Sequence, residues 1–230
     1  VTAALVDALA HGCAAAGFDL CASGVVADYN VRVPDNLRLP DFGRPQALVV
    51  LVGNTAALWP RFQAALTDPR LAAAAHPLDS YAAATITAAV DAAAGDLRRE
   101  LRFAPEPPPR RVALQRLAEA TGLAAIAPSH LAIHPVYGSW FGLRAAIVLD
   151  VDGEPATPAP RPACDCAIGC GPAMARAMAA GPPRDGRELR DRWRLWLAVR
   201  DACPVGRSHR YGDDQLTYHY TGDRTRLRRM

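Results

Sequence analysis

The sequence contains no lysine, so all 26 of its basic side chains are arginines. Alanine is used heavily, and such a compositional bias removes any argument that a given arginine was selected over lysine for its planar fork. Long apolar runs are missing as well: nothing approaches the roughly 20 consecutive apolar residues that a membrane-spanning helix needs. Val1 to Gly17 reads as an alanine-rich amphipathic helix interrupted by Asp7 and His11. That pattern excludes a signal peptide and predicts a cytoplasmic protein with no membrane partner. The chain does not begin with methionine, and a trimmed or partial N-terminus is expected. There is no glycine-rich phosphate loop, no Gly-x-Ser-x-Gly elbow, no His-Glu-x-x-His helix and no pair of catalytic carboxylates, which disfavours general acid/base hydrolysis. A formal net charge of +3 over 230 residues gives no case for nucleic acid. No internal repeat is present.

Half of the residues are hydrophobic, enough for a full core. Asp19 to Ala27 and Ala47 to Gly53 read as strands joined by a proline-punctuated loop, and the unbroken apolar run of the second predicts a central strand covered on both faces. Helices are expected over Leu58 to Leu66, Pro77 to Arg99 and Arg110 to Thr121, with strands at Leu101 to Ala104 and Leu123 to Ala127. The fold class is therefore α/β (α+β), a mixed sheet flanked by helices. The proline-rich stretch after Gly153 suggests a boundary, giving a core of residues 1–153, a linker of 154–163 and a C-terminal cap of 164–230 packed on the same domain.

The most informative segment is Ile133 to Arg144, Ile-His-Pro-Val-Tyr-Gly-Ser-Trp-Phe-Gly-Leu-Arg. His134-Pro135 and Gly138-Ser139 make a turn. The alternation from Trp140 to Asp150 then makes a strand in which Arg144 shares a face with Gly142 and Ala146, small neighbours that leave room for a flat anionic group. The alternative is an arginine held by a structural salt bridge. Farther on, a helix from about Arg187 to Arg200 carries Leu189, Trp193, Trp196, Leu197 and Arg200 on one stripe. A cation on such a face either finds an anion or bonds helix-end carbonyls and carboxylates. The aromatic tail, His209 to Tyr220, is expected to dock on the domain.

Six cysteines in a cytoplasmic chain of this size do not predict a disulfide framework, and Cys13 and Cys21 read as small buried hydrophobes. Cys164, Cys166, Cys170 and Cys203 are the candidate metal ligands. Their spacing departs from ferredoxin loops, leaving open a degenerate cluster site, a four-thiolate zinc site or a set of unligated thiols.

The segment from Ile133 to Arg144 resembles the Ile-His-Pro-x-Phe-Gly-Gly-Trp-Phe-x-Ile-Arg block of the CblC-type cobalamin-processing family. Ala27 to Asn30, His76 to Asp79, Arg110 to Gln115, Trp193 to Asp201 and Arg210 to Gln215 agree with that family in order. The same block is similar, more distantly, to the N-terminal part of epoxyqueuosine reductases. Those enzymes need eight cluster cysteines, so an iron-sulfur cluster is not expected here.

The resemblance implies a modified flavin-reductase or nitroreductase-like sandwich that binds a corrinoid with its lower base displaced and removes the upper axial ligand. The reaction would be reductive decyanation, with FMN or FAD supplying electrons, or dealkylation to glutathione or another thiol. By matching positions, Val112, Ala113, Leu114, Gln115, Ile126, Ala127, Pro128, Ala132 and Leu143 would line the corrinoid side, and Arg144, Arg200 and Arg226 would hold the thiol substrate. The register of the last could slip to Arg224. Ala125-Ile-Ala-Pro128 stands where the family has a tyrosine-rich run and a glutamine, which removes hydroxyl contacts, and Ala132 replaces a cysteine. The implied partners are downstream cobalamin-using or trafficking proteins, and the implied state is a monomer or ligand-dependent homodimer. The alternatives are a non-catalytic corrinoid chaperone and an iron-sulfur or zinc oxidoreductase related to epoxyqueuosine reductase.

Overall fold

A computed structural model describes residues 2–160, 166–181 and 186–227. Its centre is a four-stranded sheet of order β1-β2-β6-β3, built from β1 (Leu20–Val25), β2 (Ala47–Asn54), β3 (Arg99–Phe103) and β6 (Gly142–Asp152). Every pairing in it is antiparallel, so the α/β class holds while the expected mixed sheet gives way to an antiparallel one. β4 (Ala125–Ile126) and β5 (Ala132–Ile133) form a separate short hairpin.

β2 is buried along its whole length, as an unbroken apolar run requires. Its alternation divides the core. Leu48, Val50 and Val52, with Ala145, Ile147 and Leu149 of β6, face α1 (Thr2–Ala15), α3 (Leu58–Ala65) and α5 (Pro77–Ala94). Val49 and Leu51, with Ala146 and Val148, face α2 (Val26–Asn30) and α6 (Leu114–Ala120). Cys13 is buried in the first of these layers, which pushes its thiol up to about 11, and burial likewise pushes Cys21 up to about 12.

Several boundaries differ from the sequence pattern. The first strand stops at Val25, where Val26–Asn30 turns helical and buries Tyr29. The long helix ends at Ala94 because Gly95 takes φ +52, leaving Arg99 free to start β3. The helix expected from Arg110 begins only at Leu114, because Arg110 is drawn back onto Glu100 and Glu106.

Among the described residues the C-terminal part is built of three α-helices. α4 (Pro69–Ala73) lies earlier in the chain, and α7 (Cys170–Ala179), α8 (Gly186–Asp201) and α9 (Asp213–Thr221) follow β6. α8 shares its apolar face between two clusters: Trp193 and Leu197 pack with Trp140, Tyr211 and Leu216, while Trp196 and Val199 pack with Cys170 and Ala177. The side chain of Leu189 lies outside those described. The tail docks as a helix, with Tyr218 entering the main core beside Trp59 and Phe62. The proline-rich stretch packs as well, since a Cβ on Gly122 would sit 2.0 Å from the Thr157 carbonyl oxygen. Among the described residues no helix is long and apolar enough to cross a membrane.

Candidate functional site

The turn before β6 is closed by its own backbone. His134 and Gly138 exchange two hydrogen bonds, at 2.8 and 2.9 Å, and His134 Nδ1 accepts from the amides of Val136 and Tyr137. Nδ1 must be unprotonated to do so, and burial together with nearby His209 holds the imidazole below its usual range. The turn is locked to the loop after α8, because Gly138 and Gly206, both at positive φ, approach each other's backbone. Trp140 is thereby buried, with the Arg200 guanidinium 4.4 Å from its ring centroid.

Arg144 sits in a β-bulge. Val52 of β2 pairs with Ala145 but Gly53 pairs with Leu143, so Arg144 is the extra residue and the alternation inverts there. Leu143 consequently packs on the α6 side with Phe141, while Arg144 emerges towards α5 and α9. The expected face shared by Arg144, Ala146 and Val148 is therefore not formed. Gly53 accommodates the bulge, since a Cβ there would lie 2.6 Å from the Gly142 carbonyl oxygen.

Two cavities flank this bulge. One, of about 360 Å³, is walled by Leu131, Ala132, Phe141 and Leu143, with Leu114 and Gln115 from α6 and with Ser139 and Arg200. A smaller cavity of about 250 Å³ adjoins it, sharing Leu114 and Gln115 and adding Ala113, Arg116, Ile126 and His130. Val112 points instead into the core beside Leu117, and Ala127 and Pro128 belong to the β4–β5 turn, where the Ala127 amide donates to the Leu131 carbonyl.

The second main cavity, about 340 Å³, is polar. Arg144 enters it together with His76, Asp79, Tyr218, His219 and Arg224. Arg144 Nε donates to Asn54 Oδ1 at 2.6 Å, and burial pulls the guanidinium below the ordinary arginine range. A partly buried cation bonded to a neutral amide is poised for an anion. Arg226 lies outside this cavity, ion-paired with Asp214 and Asp223, whereas Arg224 is among the residues lining it.

Arg144 and Arg200 thus line different cavities, yet both act on Tyr211 and His219. Burial pushes the Tyr211 hydroxyl up to about 12 against the pull of both arginines. Burial, then the two cations, pulls His219 down to about 3. A histidine neutral in the fold but protonated in the unfolded chain contributes stability above about pH 6.5 that is lost as pH falls towards 3. Wild-type protein should therefore lose about 3 kcal/mol between pH 7 and pH 4 through this group, and His219→Phe should flatten that part of the curve. Urea titrations at a series of pH values check it; an unchanged slope in the variant would refute the assignment.

Asn54 and His219 carry no motif and were not expected at the site. The only sequence signal for Asn54 is a polar residue ending the most apolar strand. Among the cysteines, Cys166 and Cys170 share an apolar cluster and Cys203 is buried, while Cys164 lies outside the described residues. No group of three or more histidine, cysteine or acidic residues among the described ones is placed to hold a metal.

No family model matches the sequence, and no curated protein matches it either. Solved structures do. A Caenorhabditis elegans B12-trafficking protein CblC, a homologue of human MMACHC, superimposes with a TM-score of 0.73 at 15% identity, over 99% of this chain and 95% of its own. The chain has the CblC fold. Epoxyqueuosine reductases are similar at lower scores: a selenomethionine-labelled one at 0.54 with 15% identity and the Bacillus subtilis enzyme at 0.52 with 14%. The match spans 90% and 89% of this chain respectively but 66% of each reductase chain. The CblC fold thus accounts for the C-terminal helices as well as the sheet.

Proposed function

We propose that the chain binds a corrinoid in the apolar cavity and removes its upper axial ligand, using a carboxylate-bearing thiol such as glutathione or electrons from reduced FMN or FAD. The observation that carries this reading is the CblC fold over nearly the whole chain, with Leu114, Gln115, Ala132 and Leu143 walling one cavity beside Arg200. The residues suit the ligand. Apolar side chains would offer a dry face to the macrocycle, and the Gln115 amide in the same wall would supply a polar partner for its propionamide rim. The Ser139 hydroxyl in the cavity wall is buried with no hydrogen-bond partner, a cost that a ligand amide would relieve.

A corrinoid held without its lower base has a more readily reduced cobalt and a more readily removed upper ligand. The protein supplies water exclusion and charge. Arg144 and Arg200, close enough to act on the same tyrosine and histidine, would hold the two carboxylates of glutathione. Their field also favours thiolate over thiol.

The test is a visible-spectrum titration of anaerobic protein into cyanocobalamin and methylcobalamin, before and after adding glutathione or reduced flavin. A base-off shift followed by conversion to a reduced cobalamin is the expected result. No shift with either corrinoid would end this reading. A shift without conversion would select the second reading, a corrinoid chaperone, which the hydroxyl-free wall at Ala125-Ile126-Ala127 favours.

A further inference from the structure

The polar cavity between α5 and α9 holds two opposite charges that do not touch. Arg144 reaches it from the bulge and Asp79 from the first turn of α5. Among the described residues, neither is ion-paired with the other or with any third side chain. Arg224, the other cation in the wall, is exposed and already donates to the carbonyls of Ala72 and Ala74.

The Arg144 guanidinium is held where it stands and does not fold over onto the carboxylate. Its Nε donates to Asn54 Oδ1 at 2.6 Å, and Asn54 Nδ2 donates in turn to the Thr55 carbonyl at 2.8 Å, with Asn54 fully buried. Gly142 makes room for this arrangement, because a Cβ there would lie 2.9 Å from Asn54 Oδ1 and 3.2 Å from Arg144 Nη2. The terminal nitrogens of Arg144 have no acceptor among the described residues and remain for a ligand. A charged group fixed by a buried neighbour has little freedom left to lose on binding.

Separated charges of this kind select among ligands. A simple anion drawn to Arg144 meets Asp79, and a simple cation drawn to Asp79 meets Arg144. A group that carries both charges on one carbon satisfies the two at once. The α-amino acid end is such a group: its carboxylate suits the guanidinium fork, and its ammonium suits a carboxylate. A cavity of about 340 Å³ has room for that end and for the chain leading away from it.

Building on the thiol half of the reading above, we propose that Asp79 and Arg144 together read the α-amino acid zwitterion of the thiol, its ammonium on Asp79 and its carboxylate on Arg144. The protein then discriminates against otherwise identical thiols that lack the free amino group. Asp79 is the specificity-determining residue, since Arg144 alone would accept any carboxylate.

Calorimetric titration of the full chain, with and without cyanocobalamin, tests this with probes that carry no reactive thiol. S-methylglutathione is compared with S-methylated glutaryl-cysteinylglycine, the same molecule without its amino group, in wild type and in Asp79→Asn. Asparagine keeps the shape of the partly buried Asp79 and removes only its charge. Wild type should prefer S-methylglutathione by about tenfold. Asp79→Asn should erase that preference by weakening S-methylglutathione, with the glutaryl compound bound no more weakly than before.

Equal wild-type affinity for the two compounds would overturn the proposal and leave the thiol reading intact, and this comparison needs no variant. An equal loss for both in Asp79→Asn would reduce Asp79 to a structural residue and overturn it as well. Alanine, which offers the zwitterion alone, should bind more weakly than S-methylglutathione; equal affinity would assign the cavity to free amino acids and overturn the link to the thiol. Failure of wild type to bind S-methylglutathione in either state would bring down the thiol reading and this inference with it, while the base-off shift still decides corrinoid binding.

Discussion

Arg144→Ala is expected to lower glutathione-dependent ligand removal at least about 100-fold in kcat/KM, from the loss of charge-assisted hydrogen bonds worth about 1.5–3 kcal/mol each. Corrinoid affinity should change by no more than about twofold, because Leu143 and not Arg144 faces the apolar cavity. A thiol without carboxylates supplies the discriminating control. If Arg144 binds a carboxylate, 2-mercaptoethanol should be used about equally by wild type and variant. A matching loss with both thiols would mean that Arg144 supports the structure and does not bind the substrate. The change withdraws the Arg144 donor from the buried Asn54 Oδ1, which costs about 1–3 kcal/mol, so the kinetics are measured well below the melting temperature of the variant.

The largest effect on stability is expected from Gly138→Ala. Gly138 has φ +58, and a Cβ there would lie 1.8 Å from the Val205 carbonyl oxygen. The left-handed conformation costs a residue with a Cβ about 1–2 kcal/mol, and the clash is with backbone that cannot rotate away. A total loss of at least about 3 kcal/mol follows, lowering Tm by about 6–12 °C for a chain of this size. Gly43→Ala is the matched control, because Gly43 has φ +82 with nothing within 4 Å of the added Cβ. It should show the conformational cost alone. Thermal melts of both variants decide the matter, and equal losses would mean that the Gly138–Gly206 contact relaxes without penalty.

Elements with strong local signals were legible in the sequence. β2, the body of α5 and the turn at Ile133 to Arg144 follow from an unbroken apolar run, a helix with proline and Asp79 in its first turn, and proline-glycine chemistry. α7 was not anticipated, because its alanine-rich sequence gains helical stability from packing Cys170 and Ala177 against Val199 of α8, a contact invisible along the chain. The placement of Arg144 failed for a different reason. Alternation presumes one residue per pairing step, and a bulge breaks that presumption at a position where composition gives no warning. Ala113, Leu114, Gln115, Ile126, Ala132 and Leu143 were assigned together from the family resemblance, and the fold brings them around two adjoining cavities. Val112 and Arg226, which the same resemblance implies, take up a core position and a surface ion-pair position.

The extra residue at Arg144 also constrains how this segment can vary over evolutionary time. With the bulge, neighbouring positions 143 and 144 serve an apolar wall and a cationic pocket; without it, the arginine would be delivered to the wall and the leucine to the pocket. Substitutions near Gly142 would be filtered one at a time by fit, but a one-residue insertion or deletion would exchange both chemistries at once. Chain length between Trp140 and Ala145 should therefore be held more strictly than the identity of most residues within it.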